Sequence, residues 1–296
     1  MARTQRDFKV TICHFLWMGN HAHFLLICKD AEAFTNFYGE IKKKLTDTLK
    51  SLLDTDHLTP WDGDTVVPRV LDRAATIRQI AYIYANPARA NLTAAIEEYP
   101  LLNSYKDFRT VPSTVSAAVD HTECWVPAAN VPKLVSRVTK HQRDVELTAL
   151  LKKSGFNHTL TLNPNAWMEC FGITEPEEVA EVNKEIFDLI REMESEYAET
   201  RRKEKKGVLG AKNLRLQPFM QDHTPARSER KIFVISSIKD LRISFIEEVK
   251  DLCEYCRECF IRSLRGYFVE WPPGMFRPSL RHVASDLDFC DECVVQ

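Results

Sequence analysis

The chain has 296 residues, long enough for a substantial buried core, and its 44% hydrophobic and 28% charged content is that of an ordinary globular protein. No stretch reaches the ~18 uninterrupted apolar residues of a membrane span, and no signal peptide opens it, so a cytoplasmic protein is expected. Nine cysteines, an odd number, favour reduced thiols over a disulfide framework, and a net charge of −2 does not advertise a nucleic-acid binder.

Taken in chain order, Phe8 to Trp17 alternates as a strand, with Phe8, Val10, Ile12, His14 and Leu16 on one face. Gly19-Asn20 supplies a turn, and His21 to Cys28 forms a second strand, giving an antiparallel hairpin. Alternation sets His21, His23, Leu25 and Ile27 on one face, and Ala22, Phe24 and Leu26 on the other. Ala31 to Leu53 predicts an amphipathic helix, with Phe34, Phe37, Ile41, Leu45, Leu49 and Leu52 at helical spacing. A further helix spans roughly Ala74 to Asn86, and Pro87 ends or kinks it.

A domain boundary is placed near Val111, dividing residues 1–112 from a mainly helical region, 113–296. In the second part, Ile173 to Arg202 and Ile238 to Leu264 predict long helices. The charge is strongly polarised there. Glu175 to Glu199 carries ten acids and two bases, whereas Arg201 to Lys231 carries ten bases and three acids. Such a basic run is either a phosphate-contacting surface or a solvated face paired with its acidic neighbour.

Two histidines at i and i+2 on one strand project both imidazoles to the same side, within reach of one ion. The pair lacks the partners of a structural zinc site, and a hard oxygen ligand would suit a divalent ion with open positions. The helix "ATIRQIAYIYANPARA" offers one. Ile77, Ile80, Ala81, Tyr84 and Ala88 form its buried stripe, while Arg78, Tyr82 and Asn86 share another face. Tyr84 therefore reads as core. Tyr82 lies one turn from an amide able to bind metal, where a phenol beside a metal-bound phosphate could act as nucleophile, or simply pack on a neighbour.

"WMGNHAHFLLI" resembles the His-hydrophobe-His signature of the HUH single-strand nucleases. "AYIYANPARANL", followed by "YPLLNSYKDF", resembles the Tyr-Ile-x-x-Asn-Pro-x-(Arg/Lys)-Ala block of the REP-associated tyrosine transposases, and "PWDGD" stands between the two motifs. The similarity covers residues 8 to about 110 and continues weakly through "GVLGAKNL" and "WPPGMFRP". It implies an α+β, ferredoxin-like antiparallel sheet with helices on one face. It implies a metal site of His21, His23 and Asn86 holding Mg2+ or Mn2+, with Tyr82 as catalytic nucleophile. Family members also carry a strand and a helix ahead of the hairpin, which the seven residues before Phe8 do not supply.

The function so implied is metal-dependent cleavage and strand transfer of single-stranded DNA through a 5′-phosphotyrosine link, the chemistry of DNA transposition. A non-catalytic DNA-binding protein, a truncated or domesticated transposase, is the alternative. The partner would be a hairpin-bearing single strand, contacted by Arg78, Arg89, Arg201, Arg202, Lys205 and Lys206. The oligomeric state is open between monomer and homodimer. "CEYCREC" and "CDEC" together offer Cys253, Cys256, Cys290 and Cys293 as zinc ligands. Against this, Cys256 and Cys259 continue the apolar stripe of Leu241, Phe245, Val249 and Leu252, where small thiols need no metal.

Overall fold

The computed structural model describes residues 1–61, 65–111, 113–127, 130–133, 139–217 and 232–272. Its centre is a hairpin of β1 (Thr11–Trp17) and β2 (Ala22–Ile27), paired antiparallel. A bulge interrupts the register. Ile12 faces Leu26 and His14 faces Leu25, leaving Cys13 as the extra residue. The bulge shifts the alternation by one position. Ile12 and Phe15 therefore pack on one side of the sheet, and Cys13, His14 and Leu16 on the other. The single face expected for Ile12, His14 and Leu16 is thus broken at Cys13. On β2 the expected alternation holds, with Leu25 and Ile27 on the side of Leu16, and Phe24 and Leu26 opposite.

The other edge of β1 is shared by two segments. At Ile12 it meets β5 (Phe156–Leu162) in a parallel pairing, and β5 in turn pairs antiparallel with β4 (Val119–Trp125). Nearer Trp17 it is covered by the stretch after Tyr99. The Trp17 amide donates to the Leu102 carbonyl (2.9 Å) and the Ser104 amide to the Phe15 carbonyl (3.0 Å). The sheet order is β2-β1-β5-β4, so the sheet is mixed rather than wholly antiparallel. The class is α+β.

Helices cover both faces, not one. On one side α2 (Ala31–Leu53), capped by Asp30 accepting from the Ala33 amide, sets Phe37 and Ile41 against Ile12, Phe15, Leu160 and Leu162. Short α1 (Ala2–Phe8) closes the same side, with Ala2 buried in that cluster; a helix therefore does precede the hairpin, and Phe8 ends it rather than opening the strand, which starts at Thr11. On the other side α3 (Arg73–Arg89) lies beneath α6 (Pro176–Lys203). Ile77, Ile80, Ala81 and Tyr84 of α3 form one core with Val179, Val182, Ile186 and Ile190 of α6. Tyr105 and Phe108 of the short α4 (Tyr105–Phe108) join it.

Residues on both sides of position 112 therefore share one sheet and one core, and the boundary expected there does not separate two hydrophobic clusters. The region after it contributes strands as well as helices. α3 also continues past Pro87 to Arg89, because proline at that position forfeits only one hydrogen bond of the last turn.

Five further α-helices and strands lie outside this core sheet and its covering helices. α5 (Lys140–Ser154) precedes β5, and α7 (Ala211–Arg215) follows α6. Beyond it, β6 (Val234–Ile235) pairs in parallel with β3 (Arg69–Val70) and leads into α8 (Lys239–Leu264). No helix among the described residues is long and apolar enough to cross a membrane. Cys290, Cys293, the "PWDGD" aspartates and part of the basic run, from position 218 to 231, lie outside the described residues.

Candidate metal and nucleophile site

The site forms where the tight turn of the hairpin meets the middle of α3. The turn is closed by the Met18 amide donating to the His21 carbonyl (2.7 Å). This brings His21, just ahead of β2, over the same face as His23. The two Nε2 atoms are 3.0 Å apart, and the ring centroids 4.8 Å. Asn20 holds the far side of the first ring, its Oδ1 lying 2.7 Å from His21 Nδ1. A carbonyl there selects the tautomer with hydrogen on Nδ1 and leaves Nε2 as a lone pair.

α3 brings the third group. Its N-terminus is capped by Asp72, which accepts from the Ala75 amide, and the buried stripe of Ile77, Ile80 and Tyr84 fixes its rotation. That rotation turns Asn86 inward, where it is buried, with its side-chain amide 2.8 Å from His23 Nε2. Tyr82, one turn earlier, is half-buried and meets the His23 ring edge-on at 5.8 Å. Its hydroxyl accepts a short hydrogen bond from Arg89, whose guanidinium also lies 5.3 Å from the phenol centroid. Arg78 is exposed on the same helix.

His23 Nε2 thus has two polar neighbours, His21 Nε2 and the Asn86 amide, and an imidazole nitrogen offers one lone pair. Two ligands each ~2.1 Å from an octahedral ion stand ~3.0 Å apart, which is the separation seen. With the Asn86 amide turned so that Oδ1 faces His23, it too would offer an electron pair beside the imidazoles. Burial, then the neighbouring His21 and Arg89, pull the His23 pKa down to about 4. The ring is therefore neutral at pH 7, as a ligand must be. Among the described residues no three His, Cys, Asp or Glu side chains gather as a group that could hold a metal ion.

The basic residues divide. Arg202, Lys205 and Lys206 are exposed, with Lys206 paired to Glu204 at 2.8 Å. Arg201, expected among the phosphate contacts, is instead buried at 7% exposure and donates to the Ala88 carbonyl (2.7 Å). It sits at the end of α3, where a cation meets the helix's unpaired carbonyls, and it is not presented to a ligand. The cysteines of α8 do not converge as a site within the described residues. Cys253 is exposed, Cys256 half-buried, and buried Cys259 directs its sulfur to the Glu270 carbonyl at 3.7 Å.

Two residues beside Tyr82 escaped the sequence reading. Gln79 lies one turn before it, on the side of α3 that also carries Asn86. Arg242 comes from α8 and lines the same cleft as Gln79 and Tyr82. The i, i+3, i+7 spacing of Gln79, Tyr82 and Asn86 could have drawn attention to the first. Nothing local in the sequence could have found the second. No family model matches the chain, and no curated protein or solved structure does.

Proposed function

We propose that the protein cleaves and rejoins single-stranded DNA, with Tyr82 as nucleophile and a divalent cation held by His21, His23 and Asn86. The observation that carries this reading is the close approach of His23 Nε2 to both His21 Nε2 and the Asn86 amide, with the Tyr82 ring edge-on against His23. When bound there, magnesium or manganese supplies charge neutralisation on the non-bridging oxygens of a phosphate.

The residues of the chain do the rest. His21 is exposed and the site is open to solvent, so a polymer strand can lie across it. The phenol oxygen of Tyr82 forms a bond to phosphorus as the bond from phosphorus to the 3′-oxygen breaks. The phenol proton leaves to solvent and the 3′-oxygen acquires one, giving a 5′-phosphotyrosine link and a free 3′-OH. Arg89 steadies the negative charge that develops on the phenol oxygen, since its guanidinium already donates to that atom. Attack by another 3′-OH reverses the step and joins strands without ATP. Exposed Arg78, Arg202, Lys205 and Lys206 are available for phosphate contacts.

The test is incubation of the full chain with hairpin-bearing single-stranded oligonucleotides and manganese. A covalent protein–DNA adduct is expected, lost with EDTA and with His23→Ala, and little of it from the same sequence annealed to its complement. A duplex resists because unpairing and unstacking cost a few kcal/mol. Undiminished cutting in chelator would refute the metal assignment. DNA binding without any adduct would identify the protein as a binding module instead.

A further inference from the structure

Tyr82 borders a second feature. A cleft of about 370 Å3 opens beside it, with Gln79 and Tyr82 of α3 on one wall and Ile232, Ile235 and Arg242 on the other. The second wall is firmly tied to the first. The Arg69 amide donates to the Phe233 carbonyl and the Leu71 amide to the Ile235 carbonyl, each at 3.0 Å. The Asp72 carboxylate, already capping α3, also accepts from Ser236 Oγ (2.6 Å), the Ser237 amide (2.7 Å) and Ser237 Oγ (2.7 Å). Burial alone would raise the pKa of Asp72. The hydrogen bonds from Ser236, Ser237 and the Ala75 amide outweigh it and hold the group at about 2.

The contents of the cleft define what it can accept. Its size falls at the lower end of small-ligand pockets. Ile232 and Ile235 offer flat apolar surface, and the Tyr82 ring offers a π-face. Gln79 presents an amide donor and acceptor that have no hydrogen-bond partner among the described residues. Arg242 is anchored at the rim by donating to the Ser236 carbonyl at 2.6 Å, which leaves its other guanidinium hydrogens to meet an anion. Apolar faces, one amide and one guanidinium are the chemistry that takes up an unpaired nucleobase and its phosphate.

We propose that this cleft holds one unpaired base next to the phosphate attacked by Tyr82, with Gln79 reading the base edge and Arg242 meeting the adjoining phosphate. The proposal rests on the cleavage reading, and it makes the segment Ile232–Arg242 a specificity element for the site on α3.

The experiment uses the full chain, manganese and a hairpin flanked by randomised single-stranded nucleotides, with covalent adducts recovered and sequenced. One position beside the linked phosphate should show a base preference of roughly tenfold or more, the range of a good amide–base contact. Gln79→Met keeps the side-chain volume and removes the amide. It should flatten that preference to near unity while adducts still form, and Arg242→Gln should weaken capture at every sequence alike. A preference unchanged in Gln79→Met, or adducts with no preference at all, would overturn the cleft assignment and leave the cleavage reading standing. Absence of adduct from the unaltered protein would overturn both.

Discussion

Replacing each of the two neighbouring tyrosines of α3 by phenylalanine removes one oxygen in each case, and the surroundings dictate opposite outcomes. Tyr84 is fully buried, and its hydroxyl bridges His14 Nδ1 (2.8 Å) and Ser104 Oγ (2.9 Å). Ser104 in turn accepts from the Phe15 amide, so the hydroxyl joins α3 to β1 through a buried polar network. Tyr84→Phe deletes both bonds and leaves a buried imidazole nitrogen without its partner. A lost hydrogen bond costs ~1 kcal/mol and an orphaned buried group ~1–3, for a total of roughly 2–4 kcal/mol. At about 2–4 °C per kcal/mol, the melting temperature should fall by roughly 4–16 °C. Tyr82 is half-buried, with a hydroxyl bonded to exposed Arg89. Tyr82→Phe should therefore shift stability by no more than ~0.5 kcal/mol, as surface changes do, and abolish the covalent adduct. Calorimetry and denaturing-gel detection of the adduct, run on both variants, give the two readouts. An adduct that survives in Tyr82→Phe and is lost in a well-folded Tyr84→Phe would refute the assignment of these faces of α3.

Acid should destabilise the fold through His14, whose burial, opposed only by the Pro164 carbonyl, pulls its pKa down to about 3. The unfolded chain takes up this proton near pH 6.5, so the stability is complete above that value and is lost as pH falls toward 3, by about 3 kcal/mol at pH 4. Denaturant midpoints should show this slope and His14→Gln should flatten it; parallel profiles would exclude His14 as the cause. Arg201→Met should lower stability by roughly 1–3 kcal/mol, because a charge-assisted bond to a helix carbonyl is lost, yet leave the salt dependence of DNA binding unchanged. Neutralising Arg202, Lys205 and Lys206 together should do the reverse, reducing the slope of log K against log salt by ~0.7 for each phosphate contact removed. Asp72→Ala should cost about 2–3 kcal/mol through the lost cap and serine bonds, and should speed proteolysis between positions 232 and 242; unaltered cleavage there would show the tie to be dispensable.

Much of the site could be read from the chain because it rests on local periodicity. The alternation of His23, Leu25 and Ile27 and the helical spacing of Ile77, Ile80 and Tyr84 each follow from backbone geometry alone, and the structure brings the two faces together. The bulge at Cys13 was illegible, since a single extra residue leaves no compositional trace. β4 was illegible for another reason. Its residues are mostly solvent-exposed at the sheet edge, so "VDHTECW" shows no alternation to detect. The burial of Arg201 escaped because charge was read along the sequence, whereas what matters is the nearby C-terminal end of another helix. The sharing of one sheet across position 112 is illegible too, because nothing local in the mainly helical pattern beyond it announces that β5 meets β1.

That long-range pairing has a consequence for how the protein is made. The Gln5 side chain, on α1, bonds the Thr161 carbonyl of β5 across a separation of 156 positions, and Ile12 pairs with Leu162. On a ribosome adding ~5–20 residues per second, the hairpin emerges roughly 7–30 s before the strand that covers its edge. During that interval Thr11 to Phe15 offers unpaired backbone flanked by apolar side chains, a surface prone to pairing with other chains. Closure of so long a loop also makes this a slow-folding topology, in which a chaperone that shields the nascent hairpin would govern yield more than final stability does.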